Sequence, residues 1–287
     1  MRTFHTMDSR TLSYVTRGSG APVVMLAGGP GLDPAAFYAD VDLPGFQRLV
    51  FCPRGTGESD PPDSPDGYRI AVYVDDLDEL RRHLGVAQLT LYGSSHGAST
   101  ALAYARTYPE QVDRMVLASG PARLNAPFAE ALTGVRQRFA ETVPDGAERL
   151  RVSDEAGPRM RSATSDEDRC VAMRAMMNTY VAHQNAVGTD FLDRLAAAPM
   201  NFAAPGPMVA EMMGGLNLLK DAHTISASTL VLTGELDVRV PTQHMHEIAD
   251  AIPAAQLVRF PDVGHLIHIE APAEWGQTVS DFLAGGA

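Results

Sequence analysis

Residues 88–99 read QLTLYGSSHGAS, and this stretch decides the fold. Residues 88–92 predict a buried strand, GSSHG at 93–97 a sharp turn, and residues 98–108 a helix that stops at Pro109. A strand, a tight turn flanked by small residues and a helix form the setting in which a serine hydroxyl rises above the edge of a sheet. Ser95 is therefore a candidate nucleophile. An ordinary strand-to-helix turn with an exposed serine is the alternative.

The same alternation of strand and helix extends on both sides of the turn. Apolar runs predict strands at 11–16, 22–26, 47–52, 112–118, 229–233 and 256–260, and helical spacing recurs at 70–84, 242–251 and 272–283. Such alternation is typical of βαβ units around a parallel sheet, so the fold class is α/β. Residues 123–222 break the rhythm with helical patterns rich in Met, Ala and Pro. We therefore predict a core of residues 1–122 and 223–287 and a helical cap of residues 123–222.

Composition excludes several classes of protein. The chain has 287 residues, 45% of them hydrophobic and 20% charged, as expected for a globular protein with a large core. Its 23 basic and 35 acidic residues leave a net charge of -12 without any Lys/Arg run, which argues against nucleic-acid binding. Cys52 and Cys170 lack the paired spacing of a zinc site. With no signal peptide or membrane helix predicted, we expect a cytoplasmic protein without a membrane partner. The oligomeric state is not predicted.

A serine nucleophile requires a histidine base and a carboxylate that orients it. After an elbow of this kind the acid comes next in the chain and the histidine last. Glu235 and Asp237 both follow the predicted strand 229–233, and His265 follows the strand 256–260 in the loop PDVGH. Either carboxylate could serve as the acid at this point. Among the other histidines, His268 belongs to an apolar run and is expected to be structural, and His244 lies on a predicted surface helix.

Acyl transfer also requires donors for the oxyanion, usually backbone N–H groups. The residue after the nucleophile, His96, supplies one. The loop Gly28-Gly29-Pro30-Gly31, which follows the strand 22–26, lets the backbone approach a substrate closely, and we assign the second donor to Gly29. A glycine turn used only for chain reversal is the alternative. No metal or organic cofactor is expected.

The chain resembles the proline iminopeptidase-related branch of the α/β-hydrolase superfamily. The resemblance covers residues 10–122 and 225–285 and rests on GGPG at 28–31, RGTGES at 54–59, the elbow, YPEQV at 108–112, GELD at 234–237 and GH at 264–265. It implies the α/β-hydrolase fold, a mostly parallel sheet flanked by helices, with a helical cap inserted after the sixth strand. It also implies a Ser-His-Asp hydrolase in which the acid is Asp237 rather than Glu235.

Departures from that branch change the expected substrate. Ala27 stands where a histidine is usual, Cys52 where an aspartate is usual, and His96 where a tryptophan is usual. Members of that branch also resemble one another in a cap helix with Trp and Glu that receives the substrate amine. In this chain Trp275, near the C-terminus, is the only tryptophan. The stretch that corresponds to the cap helix, near residues 173–185, offers Met176, Met177 and Tyr180 as candidate substrate-binding residues.

We therefore expect a small, mostly apolar acyl compound as substrate: a carboxylic ester, a lactone or a hydrophobic amide. A proline iminopeptidase-like aminopeptidase, a carbon–carbon bond hydrolase and a ligand-binding protein without catalysis are the alternatives.

Overall fold

The computed structural model describes residues 1–253 and 255–285. Within them, eight strands form one sheet in the order β1-β2-β4-β3-β5-β6-β7-β8. The β1–β2 and β2–β4 pairs are antiparallel, and every other neighbouring pair in this sheet is parallel. The strands are β1 Arg2–His5, β2 Thr11–Arg17, β3 Ala21–Leu26, β4 Phe46–Cys52, β5 Leu89–Ser94, β6 Val112–Ala118, β7 Ser228–Gly234 and β8 Ala255–Phe260. The predicted α/β class with a mostly parallel sheet is confirmed. The short β1, which adds one edge, was not predicted.

The helices flank the sheet, and five consecutive ones lie between β6 and β7. They are α1 Pro34–Phe37, α2 Ile70–Leu84, α3 His96–Thr107, α4 Ala126–Thr142, α5 Gly146–Ser162, α6 Asp166–Met177, α7 Ala186–Ala197, α8 Pro205–Met213, α9 Thr242–Ala251, α10 Ile267–Glu270 and α11 Pro272–Leu283, with short 3-10 turns at Pro65–Tyr68, Pro109–Gln111 and Ala222–Thr224. The insertion of helices after the sixth strand is confirmed, and α4–α8 are called the cap below. The division at residues 122 and 223 stays a prediction, and residues 254, 286 and 287 lie outside the described residues.

Apolar residues alternate along the central strands and so supply two cores. In β5, Leu91 faces the cluster that contains α2, α3 and α9, whereas Tyr92 faces the cluster that contains α1, α11 and parts of the cap. Trp275 of α11 is fully buried on the second face, where its Nε1–H donates to the Tyr92 hydroxyl at 3.0 Å. Because helices cover both faces, the loops at the carboxyl ends of the strands are left to build a site.

α6 begins with a cap at Ser165, whose Oγ accepts the Asp168 N–H at 3.1 Å, and Met173 and Met177 are buried on one face. α6 ends at Met177, so Tyr180 lies in the segment that follows the helix. One local prediction was wrong. His244 is buried, not on the surface, and its Nε2 accepts the Ala122 N–H at 2.9 Å. Burial also raises the pKa of Cys52 to about 11, in keeping with a buried apolar role, whereas Cys170 is half-buried.

Across residues 1–253 and 255–285, no helix combines the length and apolarity needed to cross a membrane.

Candidate active site

Ser95 occupies the turn between β5 and α3 in a backbone conformation that non-glycine residues rarely adopt. Its φ is 54° and its ψ is -118°. The Ser95 N–H donates to the Ala118 carbonyl of β6 at 2.8 Å, and its carbonyl accepts the Ala98 N–H at 3.0 Å at the start of α3. Positive φ at a serine is a strained state that persists where the surrounding structure enforces it, most often at functional sites.

Small neighbours make this turn possible. A Cβ placed on Gly93 would lie 2.4 Å from the Gly97 carbonyl oxygen, and one on Gly97 would lie 2.0 Å from the Leu26 carbonyl oxygen. Real Cβ atoms do not approach so closely, so glycine is required where β3, β5 and α3 cross.

The glycine loop after β3 passes beside the serine. A Cβ on Gly28 would lie 2.9 Å from the Ser95 Cβ and 3.3 Å from the Ser94 carbonyl oxygen. Gly29 follows with φ of 64°, and its carbonyl accepts the Leu32 N–H at 3.0 Å. Among the described residues, neither the Gly29 nor the His96 N–H has an acceptor. Both amides therefore remain able to donate to a ligand, as their assignment as oxyanion donors requires.

His265 and Asp237 form a buried pair at the ends of neighbouring strands. Nδ1 of His265 lies 2.8 Å from Oδ2 of Asp237, and both side chains are enclosed. The other oxygen, Oδ1, accepts the N–H groups of Arg239 at 2.8 Å and Val240 at 3.0 Å, which fixes the carboxylate. A carboxylate can only accept, so Nδ1 carries a proton, and in the neutral tautomer Nε2 then has the lone pair. Glu235 points elsewhere, with its carboxylate 3.7 Å from Nη1 of Arg259.

Ser95 follows β5, Asp237 follows β7 and His265 follows β8. The carboxyl ends of parallel strands meet at one edge of the sheet, so all three candidate catalytic residues lie at that edge. The Ser95 Oγ makes no hydrogen bond to the residues that the structure describes. Such a bond often forms only when substrate binds.

The pattern of the alpha/beta hydrolase fold family matches residues 21–272. The chain belongs to the α/β-hydrolase fold family. This α/β-hydrolase is 29% identical to a 2-hydroxymuconate semialdehyde hydrolase of Pseudomonas sp., over 93% of the chain and 88% of the relative. It is also 29% identical to a proline iminopeptidase of Xylella fastidiosa, over 90% of the chain and 88% of the relative. The resemblance to the proline iminopeptidase-related branch is thus confirmed, and the chain is a hydrolase.

A solved structure agrees with the fold of the α/β-hydrolase. An esterase from Exiguobacterium antarcticum superimposes with a TM-score of 0.74 over 98% of both chains, at 18% sequence identity. At that identity the likeness shows the fold alone.

The cap of this α/β-hydrolase reaches the His265 loop through Tyr180. The Tyr180 carbonyl accepts the N–H groups of His265 at 2.9 Å and Leu266 at 3.1 Å, and the two rings of Tyr180 and His265 meet edge-on with centroids 5.3 Å apart. The guanidinium of Arg239 lies 4.9 Å from the Tyr180 ring centroid on its face. Of the candidate substrate-binding residues, Tyr180 therefore lies beside the proposed triad.

The two methionines have different surroundings. Met177 has no exposed surface and belongs to the second core cluster, so the structure does not present it to a substrate. Met176 is half-buried against the same cluster, and its carbonyl accepts the Ser153 hydroxyl at 3.2 Å.

Two other histidines near the elbow are neutral at ordinary pH. Burial lowers the pKa of His96 to about 4, and its ring packs edge-on against Tyr73. Burial also lowers the pKa of His268 to about 3 among the rings of Phe37 and Trp275. Neither imidazole is therefore protonated near pH 7. His268 behaves as the structural residue expected from its apolar run.

Sequence reasoning missed two residues that hold the site loops in place. The Glu270 carboxylate accepts the Gly264 N–H, and the backbone N–H of Asn201, in the cap, donates to the Gly31 carbonyl at 2.8 Å. Glu270 directly follows the apolar run at 266–269, and a carboxylate at the end of such a run is the sequence signal that could have identified it. Asn201 offered no signal, because its partners are far away in the chain. In the part of the chain described, no three His, Cys, Asp or Glu side chains are grouped to hold a metal ion.

Proposed function

We propose that this α/β-hydrolase cleaves a carboxylic ester, a lactone or a hydrophobic amide through an acyl-enzyme on Ser95. The observation that carries the proposal is the buried hydrogen bond between His265 and Asp237, at the sheet edge that also bears the strained Ser95 turn. An imidazole whose Nδ1–H donates to a carboxylate presents Nε2 as the proton acceptor.

The chemistry follows from these positions. His265 Nε2 takes the Ser95 hydroxyl proton as Oγ attacks the carbonyl carbon, and Asp237 stabilises the resulting imidazolium. The N–H groups of Gly29 and His96 donate to the oxyanion. When the tetrahedral intermediate collapses, the imidazolium protonates the leaving alcohol or amine. Water, deprotonated by His265, then attacks the acyl-enzyme, and the imidazolium returns the proton to the Ser95 Oγ as the carboxylic acid leaves.

The surroundings of His265 favour an apolar acyl group. Tyr180 borders the imidazole, and Met176 precedes it in the same part of the cap, which is rich in Ala and Met. Residues 173–185 contain no carboxylate that could receive a substrate ammonium. Glu270, a carboxylate that contacts that stretch, already accepts backbone N–H groups from Ala182 and His183, and Asp193 already pairs with Arg174. These features favour an ester, a lactone or a hydrophobic amide over an aminopeptidase substrate.

A second candidate is a carbon–carbon bond hydrolase that acts on a diketone-like compound. The 29% identity to the 2-hydroxymuconate semialdehyde hydrolase, over nearly the whole chain, favours it. The same serine, histidine and aspartate would serve both reactions, so substrate tests must separate them.

The deciding experiment is labelling of the full chain with a fluorophosphonate, with the modified peptide located by mass spectrometry. We expect modification of Ser95, none in Ser95→Ala, and full labelling in the control Ser94→Ala, which changes the buried neighbour. Absence of labelling in the unmodified chain would favour a ligand-binding protein without catalysis.

A substrate panel then distinguishes the bond that is cleaved. p-Nitrophenyl butyrate and a γ-lactone test the main proposal, prolyl-naphthylamide tests the aminopeptidase, and 2-hydroxymuconate semialdehyde tests the carbon–carbon hydrolase. We expect the largest kcat/KM for the ester or the lactone. A larger value for either of the other two substrates would replace the main proposal with that alternative.

A further inference from the structure

Residues 178–183, in the segment between α6 and α7, lie directly on the His265 loop. The Tyr180 carbonyl holds the N–H groups of His265 and Leu266. A Cβ on Gly264 would lie 2.7 Å from the Ala182 nitrogen, so the two backbones are in close contact at this glycine. The position of His265 therefore depends on this segment of the cap.

One carboxylate joins the two backbones. Oε1 of Glu270 accepts the Gly264 N–H at 2.6 Å, and Oε2 accepts the N–H groups of Ala182 at 2.6 Å and His183 at 3.1 Å. On the carbonyl side, Arg149 of α5 donates to the Ala182 carbonyl at 2.7 Å and the Asn178 carbonyl at 2.7 Å. The core thus holds the segment at its Ala182 and His183 N–H groups and its Tyr180 carbonyl, and Arg149 of the cap holds it at two other carbonyls.

We propose that Glu270 is a positioning residue for His265, in that its ionised carboxylate ties the His265 loop to cap segment 178–183. This inference rests on the proposed function of His265 as general base. An ionised carboxylate only accepts, so it satisfies all three N–H donors. A protonated carboxyl or a glutamine amide turns one of those acceptor sites into a donor that faces an N–H group, and small displacements of a catalytic group cost large factors in rate.

The ionisation of Glu270 changes near neutral pH. Burial, together with the charge of Asp237, raises the pKa of Glu270 to about 7, against the opposing effect of the three backbone N–H groups. The charged groups that face it are Asp237 in the loop after β7 and Arg149 on α5. Glutamine at this position is therefore a close mimic of the protonated form that the unmodified chain adopts below neutral pH.

The test compares kcat of the unmodified chain and Glu270→Gln on p-nitrophenyl butyrate from about pH 5.5 to about pH 9. We expect the unmodified chain to be roughly tenfold faster above about pH 8 and the two to converge below about pH 6, with KM changed less than about twofold. The matched control, Glu274→Gln, alters an exposed carboxylate on α11 and should give a ratio of about one at every pH. A ratio for Glu270→Gln that does not change with pH would overturn the proposal, because a purely structural contribution gives that result.

A second measurement needs no activity. Hydrogen–deuterium exchange of the peptides that contain Gly264, Ala182 and His183, corrected for intrinsic rates, should show protection that falls in the unmodified chain as pH drops through about 7. Unchanged protection would overturn the proposal, even if Glu270→Gln failed to fold. A chain that neither reacts at Ser95 nor cleaves the ester would refute the proposed function, while the exchange data would still decide whether Glu270 ties these backbones.

Discussion

The orientation of the Asp237 carboxylate makes Asp237→Asn the most informative substitution. Oδ1 accepts two backbone N–H groups, from Arg239 and Val240, and Oδ2 accepts His265 Nδ1–H. An asparagine keeps the size of the side chain but has one acceptor and one donor. With its oxygen at the Oδ1 position, its NH₂ group faces His265 and forces the tautomer in which Nε2 carries the proton, so the base is lost.

If the asparagine side chain is flipped, its oxygen faces His265 and restores the correct tautomer. Its NH₂ group then faces the buried N–H groups of Arg239 and Val240, which lose their acceptor. Each such group costs about 1–3 kcal/mol, so the flipped form is disfavoured by roughly 2–6 kcal/mol. At about 1.4 kcal/mol per factor of ten, the competent population falls by roughly 30-fold to 10⁴-fold. We expect kcat for p-nitrophenyl butyrate to fall by that factor, while far-UV circular dichroism shows an unchanged fold.

The matched control is Glu235→Gln, which changes the other carboxylate of the same loop, whose charge faces Arg259 instead. It should keep at least about half of the activity, since exposed ion pairs contribute little. An Asp237→Asn enzyme with more than about a tenth of the original kcat would refute the tautomer argument. A Glu235→Gln enzyme with the larger loss would move the orienting role to Glu235.

Three further predictions follow from the same contacts. Ser95→Ala and His265→Ala should each lower kcat by roughly 10⁴ to 10⁶, measured by ester hydrolysis, because no other hydroxyl or base replaces them; residual turnover within tenfold of the original would contradict the triad. Gly97→Ala places a methyl group 2.0 Å from the Leu26 carbonyl oxygen and should destabilise the fold by at least about 1–3 kcal/mol in urea unfolding, whereas Gly134→Ala, with open space around it, should not; equal stabilities would contradict the crowded crossing. Burial raises the pKa of Glu270 from 4.5 to about 7, so protonated Glu270 favours the folded state. The unmodified chain should therefore lose about 3 kcal/mol of unfolding free energy relative to Glu270→Gln as pH rises from about 4.5 to about 8; a difference that stays constant or grows in the opposite direction would contradict this sign.

Most elements of the core were predictable from the sequence, because they rest on short-range patterns. The helix Ile70–Leu84, the strand Val112–Ala118 and the helix Thr242–Ala251 agree with their predicted bounds. Their apolar spacing is strong, and turn residues follow them closely. The strand Arg2–His5 was missed because a short edge strand with one buried residue lacks a clear period. The sequence placed His244 on the surface because its hydrogen-bond partner, Ala122, lies 122 residues away in the chain.

Local sequence also singled out Ser95, Asp237 and His265 as candidates, since a tight turn, a chain order and loop glycines are properties of neighbouring residues. Tertiary structure decided the rest. It paired His265 with Asp237 and turned Glu235 toward Arg259. It also brought Glu270 to the cap backbone at Ala182. These are contacts between residues far apart in the chain, and their energies depend on distances and burial that no local pattern encodes.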